Sequence, residues 1–186
     1  MKPLPPDAAL IVIDVQQAFD DPSWGPRNNP GAEANVATLL AAWRNTRRPI
    51  FHVQHRSPRP QSLFHPERPG FAVKPEAVPL ADEPVIYKDV NSAFIGTDLE
   101  QRLREDGIET LVIVGITTDH CVSTTTRMAG NFGFDTYLVS DATATFARRG
   151  PDGKTFTAEQ MHETALASLH DEFATVVATA AVLESV

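Results

Sequence analysis

Two hydrophobic patterns alternate along the chain. Residues 8–15, Ala8-Ala9-Leu10-Ile11-Val12-Ile13-Asp14-Val15, form an apolar run broken only by an acid near its end, the pattern of a strand covered on both faces. Residues 32–45 follow with Val36, Leu39, Leu40 and Trp43 at helical spacing, so one face of a helix is apolar. The same alternation recurs: strands are predicted over 50–54, 85–88, 111–115, 136–140 and 173–178, and helices over 98–106, 121–130 and 158–170. Gly107 stops the second helix. Strands separated by helices require crossover connections, which are right-handed and build a mostly parallel sheet. The pattern therefore predicts an α/β fold with three layers, α/β/α.

Proline divides the chain in the same way. Six of the 15 prolines lie in residues 1–30 and seven in residues 58–84, whereas residues 85–150 contain none. The proline-free stretch carries regular elements, and residues 56–84 read as a long loop of a kind that is uncommon unless functional. There is no repeat or low-complexity linker, and 186 residues suit one domain, residues 1–186.

The chain has 16 Lys+Arg against 24 Asp+Glu, a formal net charge of −8, which argues against nucleic-acid and anionic-membrane partners. No apolar run approaches the ~20 residues of a membrane span, and the first residues lack the pattern of a secretory signal. A cytoplasmic protein with a small-molecule substrate is the expectation. Cys121 is the only cysteine, so an intrachain disulfide and a cysteine-rich metal cluster are both excluded.

In an open α/β sheet, ligands bind beyond the carboxyl ends of the strands. Asp14 ends the first predicted strand, Lys88 ends the third, and Cys121 opens the helix after the fourth. Alone, each has an ordinary reading: a helix-capping acid, a solvated strand-end lysine, a small buried hydrophobe. Together they complement one another. A helix start and a nearby ammonium lower a thiol's pKa, a carboxylate takes its proton, and the lysine keeps the carboxylate charged. The preceding turn, Gly115-Ile116-Thr117-Thr118-Asp119-His120-Cys121, is able to aim backbone N–H groups at a developing oxyanion or simply to cap the helix.

At these residues the chain resembles the isochorismatase-like cysteine hydrolases. The matching segments are residues 10–19, Leu10-Ile11-Val12-Ile13-Asp14-Val15-Gln16-Gln17-Ala18-Phe19; Lys88 with Asn91-Ser92-Ala93-Phe94; residues 112–122 continuing through Thr126-Arg127-Met128-Ala129; and Ser140-Asp141-Ala142. They occur in the family's order. The resemblance implies a Rossmann-like sheet of six parallel strands in the order 3-2-1-4-5-6. It also implies a catalytic triad of Asp14, Lys88 and Cys121, a cis peptide between Ile116 and Thr117, and an oxyanion hole from the N–H groups of Thr117 and Cys121. The implied activity is hydrolysis of a C–N bond in a small amide, lactam or ureido compound through a thioester. Homo-oligomers, dimers or tetramers, are usual in such families, with the tail 176–183 and the proline-rich loop as contact surfaces.

Other readings stay open at this stage. The isochorismatases of this family generally lack the cysteine, so its presence favours C–N hydrolysis over vinyl-ether cleavage. Its nicotinamidases carry Asp-x-His after the second strand, whereas this chain has His52-Val53-Gln54-His55. No metal and no cofactor is expected, although His55 and His65 are residues of ligating type. A non-catalytic binding protein on the same fold is the remaining alternative. Phe19, Trp24, Asn91, Phe94 and His120 are the expected substrate contacts, and Arg56, Arg59 and Arg68 are loop cations available to a carboxylate.

Overall fold

The computed structural model describes residues 2–186. Six strands form one parallel sheet: β1 (Ala9–Ile13), β2 (Ile50–His55), β3 (Val85–Lys88), β4 (Thr110–Ile116), β5 (Asp135–Ala144) and β6 (Thr175–Val177). Their order is β3-β2-β1-β4-β5-β6, with β1 central and β3 and β6 at the edges. A short antiparallel ribbon, Arg148–Arg149 with Thr155–Phe156, follows β5.

Side-chain parity assigns the two faces. Ala9, Ile11 and Ile13 of β1 meet Leu99 and Leu103 of α2 (Leu99–Glu105), Ala129 of α3 (Ser123–Asn131) and Leu169 of α4 (Ala158–Leu169) in one core. Leu10 and Val12 meet Val36, Leu39, Leu40 and Trp43 of α1 (Ala32–Thr46) and Val182 of α5 (Thr179–Leu183) in the other. Both faces of β1 are fully buried, which is why its sequence reads as a run without alternation. Trp43 carries its polar edge into this core and satisfies it by donating from Nε1 to the Ala8 carbonyl at 2.9 Å. Thr157 and Gln160 close a reciprocal capping box at the start of α4, satisfying orphan helix N–H groups. Among the described residues, no helix is long and apolar enough to cross a membrane.

The structure departs from the sequence expectation at three places. β5 runs to Ala144 rather than ending near Ser140, because a register shift opposite Ile113 and Gly115 lets Thr143 and Ala144 resume pairing with β4. The region after β4 is a π-helical turn, Thr118–Val122, and α3 begins only at Ser123. The apolar tail folds back as α5, a helix the pattern did not predict, with Val182 inside the core and Leu183 exposed.

The proline-rich loop is ordered by short helical turns, Pro69–Phe71 and Pro75–Ala77, and by buried polar links. Lys74 is buried and pairs with Asp20 and with Glu33, the latter at 2.8 Å. On the amino-terminal side, His52 Nε2 donates to the Glu83 carboxylate at 2.8 Å, and the same carboxylate holds Arg44 at 2.7 Å. The loop crosses the carboxyl end of β1 because Gln17 N–H donates to the Ala72 carbonyl at 2.8 Å and Lys74 N–H to the Val15 carbonyl at 2.9 Å.

Candidate active site

Asp14 follows β1 with a left-handed backbone, φ 51°, an uncommon conformation for a residue other than glycine. Its N–H still bonds the Val53 carbonyl at 2.9 Å, so the turn is anchored to β2. Gln16 anchors it a second time: Nε2 donates to the Phe71 carbonyl at 2.9 Å, and Oε1 accepts from the His55 N–H at 2.9 Å. The carboxylate is completely buried. Lys88 Nζ donates to Asp14 Oδ2 at 2.6 Å, and both side chains are shielded from solvent. The second oxygen, Asp14 Oδ1, is buried with no hydrogen-bond partner. An unpaired carboxylate oxygen in such a place is an uncompensated acceptor waiting for a proton donor.

The donor beside it is Cys121. One ligating atom each of Asp14, His55 and Cys121 lie within 4.8 Å of one another, and Sγ is 3.8 Å from Asn91 Oδ1. The geometry thus brings together the three residues expected from the sequence. Phe19, Trp24, Asn91, Thr117 and His120 join them around a cavity of about 110 Å³. The Ile116–Thr117 peptide leading into the turn is cis.

Phe94 does not line this cavity. It is buried in the α2–α3 core, 5.3 Å from the Phe132 ring and 6.1 Å from Phe134. Its core partners lie far along the chain, so its local sequence could not separate pocket from core. The loop arginines are absent from the lining as well: Arg56 approaches Asp89 at 3.6 Å, and Arg68 donates to the Pro60 carbonyl.

Two lining residues were not among the expected substrate contacts, Phe64 and His55, the latter weighed only as a residue of ligating type. His55 Nδ1 lies 3.4 Å from Lys88 Nζ, and its ring meets Phe64 edge-on at 5.3 Å. A signal for His55 existed. Phe51 and Val53 face the α2–α3 layer, so counting by twos along β2 places His55 on the face that holds Cys121.

The electrostatics differ from the expected acidified thiol. Burial drives the Cys121 thiol well above the ordinary cysteine range, the Asp14 charge raises it further, and Lys88 offsets only part of the rise. Burial alone would lower the Lys88 ammonium, but Asp14 and Cys121 outweigh it and the net shift is upward. His55 is lowered, first by burial and then by Lys88, and is neutral at physiological pH. The resting site is therefore an ion pair beside a neutral thiol, not a preformed thiolate. Iodoacetamide labelling of Cys121 is accordingly expected to be slow at neutral pH and to accelerate about tenfold per pH unit into the alkaline range. A labelling rate already at its plateau at neutral pH would contradict this.

Asp14, His55 and Cys121 also form the one cluster of ligating type among the described residues. A cation held there would sit against the Lys88 ammonium already bound to Asp14. His65 lies outside the cluster, its Nδ1 accepting from the Glu67 N–H at 3.3 Å.

The turn that carries Cys121 is held from outside by contacts that no local pattern reveals. Thr118 Oγ1 is 2.9 Å from Nδ1 of His162, a buried residue of α4. Asp119 accepts from Thr145 Oγ1 at 2.5 Å and from Arg148 Nε at 3.1 Å.

Fold and site together define a hydrolase of the three-layer α/β/α class. The family model described as the Isochorismatase domain matches residues 8–181, and the chain belongs to the isochorismatase family. It is 53% identical over 171 residues to the isochorismatase family protein YrdC of Bacillus subtilis, covering 92% of this chain and 91% of that protein. It is similar over its whole length to the crystal structure of an isochorismatase-family protein from Chromobacterium violaceum, with a TM-score of 0.96, 44% identity and 97% of that chain covered. It is 27% identical over 183 residues to Nicotinamidase 3 of Arabidopsis thaliana, covering 91% of this chain and 84% of that protein.

Proposed function

We propose that this protein is a cysteine-dependent hydrolase of a C–N bond in a small amide, lactam or ureido compound, acting through a thioester. The observation that carries the reading is the divided carboxylate of Asp14. One oxygen is fixed by Lys88 at 2.6 Å, while the other is buried, unpaired and next to the only thiol. That arrangement suits a general base with one oxygen held by the lysine and a free oxygen to take the thiol proton.

Deprotonation is then coupled to attack. Asp14 Oδ1 receives the Cys121 proton as Sγ bonds to the carbonyl carbon, and the oxyanion is met by the N–H groups of Thr117 and Cys121. The C–N bond breaks as Asp14 returns that proton to the departing nitrogen, leaving a thioester. Water next gives its proton to Asp14 and its oxygen to the acyl carbon. The C–S bond breaks, the thiolate takes the proton back from Asp14, and the acid leaves. Overall one water is consumed, with one acid and one amine or ammonia formed. Similarity to Nicotinamidase 3 of Arabidopsis thaliana, a protein named for an amide substrate, supports this class of bond.

The test is a screen of small amides, lactams and ureido compounds that follows release of amine or ammonia. Wild-type turnover is expected on at least one compound, and Cys121→Ser is expected to lower it by about 10³-fold or more. Retention of wild-type turnover by Cys121→Ser would falsify the mechanism, and cleavage of vinyl ethers alone would assign the isochorismatase reaction instead.

A further inference from the structure

The cavity beside Cys121 is small and apolar on one side, and its described lining holds no free cation. Its volume of about 110 Å³ is well below the ~300 Å³ at which drug-sized pockets begin. Three rings make a continuous wall. Phe19 lies 5.1 Å from Trp24 and 5.0 Å from Phe64 between ring centroids, and Trp24 lies 6.3 Å from Phe64. Phe146 stacks behind Trp24 at 5.3 Å, so the wall is braced from outside the cavity.

Among the described residues, every cation close to this space already has an anion. Lys88 is held by Asp14, and Arg148 by Asp119 at 3.1 Å. His55 faces the cavity as a neutral ring. The one formally charged side chain in the lining is Asp14, with Oδ1 unpaired. A carboxylate entering here would lose its water, find no counter-charge and approach that oxygen; both effects oppose binding. A neutral planar or short apolar group meets neither difficulty, and it lies well against aromatic faces.

We propose that the site accepts a small uncharged amide, its acyl group flat or short and laid against Phe19, Trp24 and Phe64, and rejects substrates with a carboxylate on that acyl group. This rests on the reading of Cys121 as the nucleophile at the same site. Charge at the acyl end, rather than the chemistry of the bond, then sets the first level of selection.

Because Cys121 is the only thiol, its alkylation reports the cavity's preference without any turnover. Neutral iodoacetamide and anionic iodoacetate are compared in mildly alkaline buffer, each rate divided by that for a free small thiol such as glutathione. Iodoacetamide is expected to be favoured by at least about thirtyfold after this correction. His120→Lys places a cation at the half-exposed mouth of the cavity, and it is expected to shift the ratio toward iodoacetate by about tenfold or more. In parallel, butyramide and benzamide are expected to be hydrolysed and the monoamide of succinate to be refused.

Equal corrected alkylation rates, or faster turnover of the succinate monoamide than of butyramide, overturn the proposal. Strong preference for iodoacetamide with no turnover of any amide overturns the hydrolase reading instead, and it supports the charge preference of the cavity.

Discussion

Lys88→Met is expected to destabilise the fold by about 3–5 kcal/mol and to lower turnover by about 10²–10⁴-fold. The substitution roughly keeps the length of the side chain but removes the charge that Asp14 Oδ2 touches at 2.6 Å. It leaves a carboxylate buried with both oxygens unpaired, since Oδ1 has no partner to begin with. The large effect comes from that orphaned charge, not from the net worth of the ion pair. Asp14→Asn combined with Lys88→Met should therefore be more stable than Lys88→Met alone, because neither charge remains. Urea unfolding of the two variants and of wild type separates these contributions.

The sign with pH follows from the lysine. Its pKa is raised in the folded state, so its stabilising contribution is complete below the ordinary lysine pKa. That contribution is lost as pH climbs through the raised value. The stability gap between wild type and Lys88→Met should persist across neutral pH and narrow only in strongly alkaline solution. A single-variant loss below about 1 kcal/mol at neutral pH would rule out this account of the pair.

Gly115→Ala is expected to be the most disruptive single-atom addition near the site. A Cβ on Gly115 would lie 2.0 Å from the Ile13 carbonyl oxygen and 2.7 Å from its carbon, and the residue has φ 128°. Both contacts are to backbone in the central strand, so no side chain can turn aside to relieve them. Separating β1 from β4 also displaces Asp14, the residue after Ile13. The expected loss exceeds about 4 kcal/mol, and each kcal/mol lowers Tm by roughly 2–4 °C in a domain of this size. Gly107→Ala provides the comparison: it also has positive φ, 67°, but nothing lies within 4 Å of the added atom. It is expected to cost only about 1–2 kcal/mol. Similar melting temperatures for the two variants would show that close approach is not what requires Gly115.

The layers, the strands and the three central residues were legible because each rests on a local period. Lys88 shares its parity with Ile86, whose side chain lies in the α2–α3 core, and the end of an apolar run marks Asp14. What was not legible depends on distant parts of the chain meeting. The late part of β5 reads as a loop until Thr143 and Ala144 find Gly115 and Ile116 across the register shift. Phe64 lies in a proline-rich segment without periodicity, and it reaches the cavity because Ser57 N–H bonds the Phe64 carbonyl and its ring packs on Phe19. Phe94 is the opposite case, a residue in a matching motif whose contacts are with Phe132 and Phe134. The thiol's electrostatics were hidden for the same reason. A helix start and a lysine are visible in one dimension, whereas the burial that outweighs them is a property of the packed molecule.

The aromatic wall has a consequence for how such a chain diversifies. Phe19, Trp24 and Phe64 come from connecting segments outside the sheet, while Asp14 and Lys88 are fixed at strand ends by the central layers. Replacement of those three rings can remodel the entrance while the Asp14–Lys88 ion pair keeps its setting. On the proposed reading, selectivity and reactivity are carried by separable parts of the molecule, the connecting segments and the strand ends.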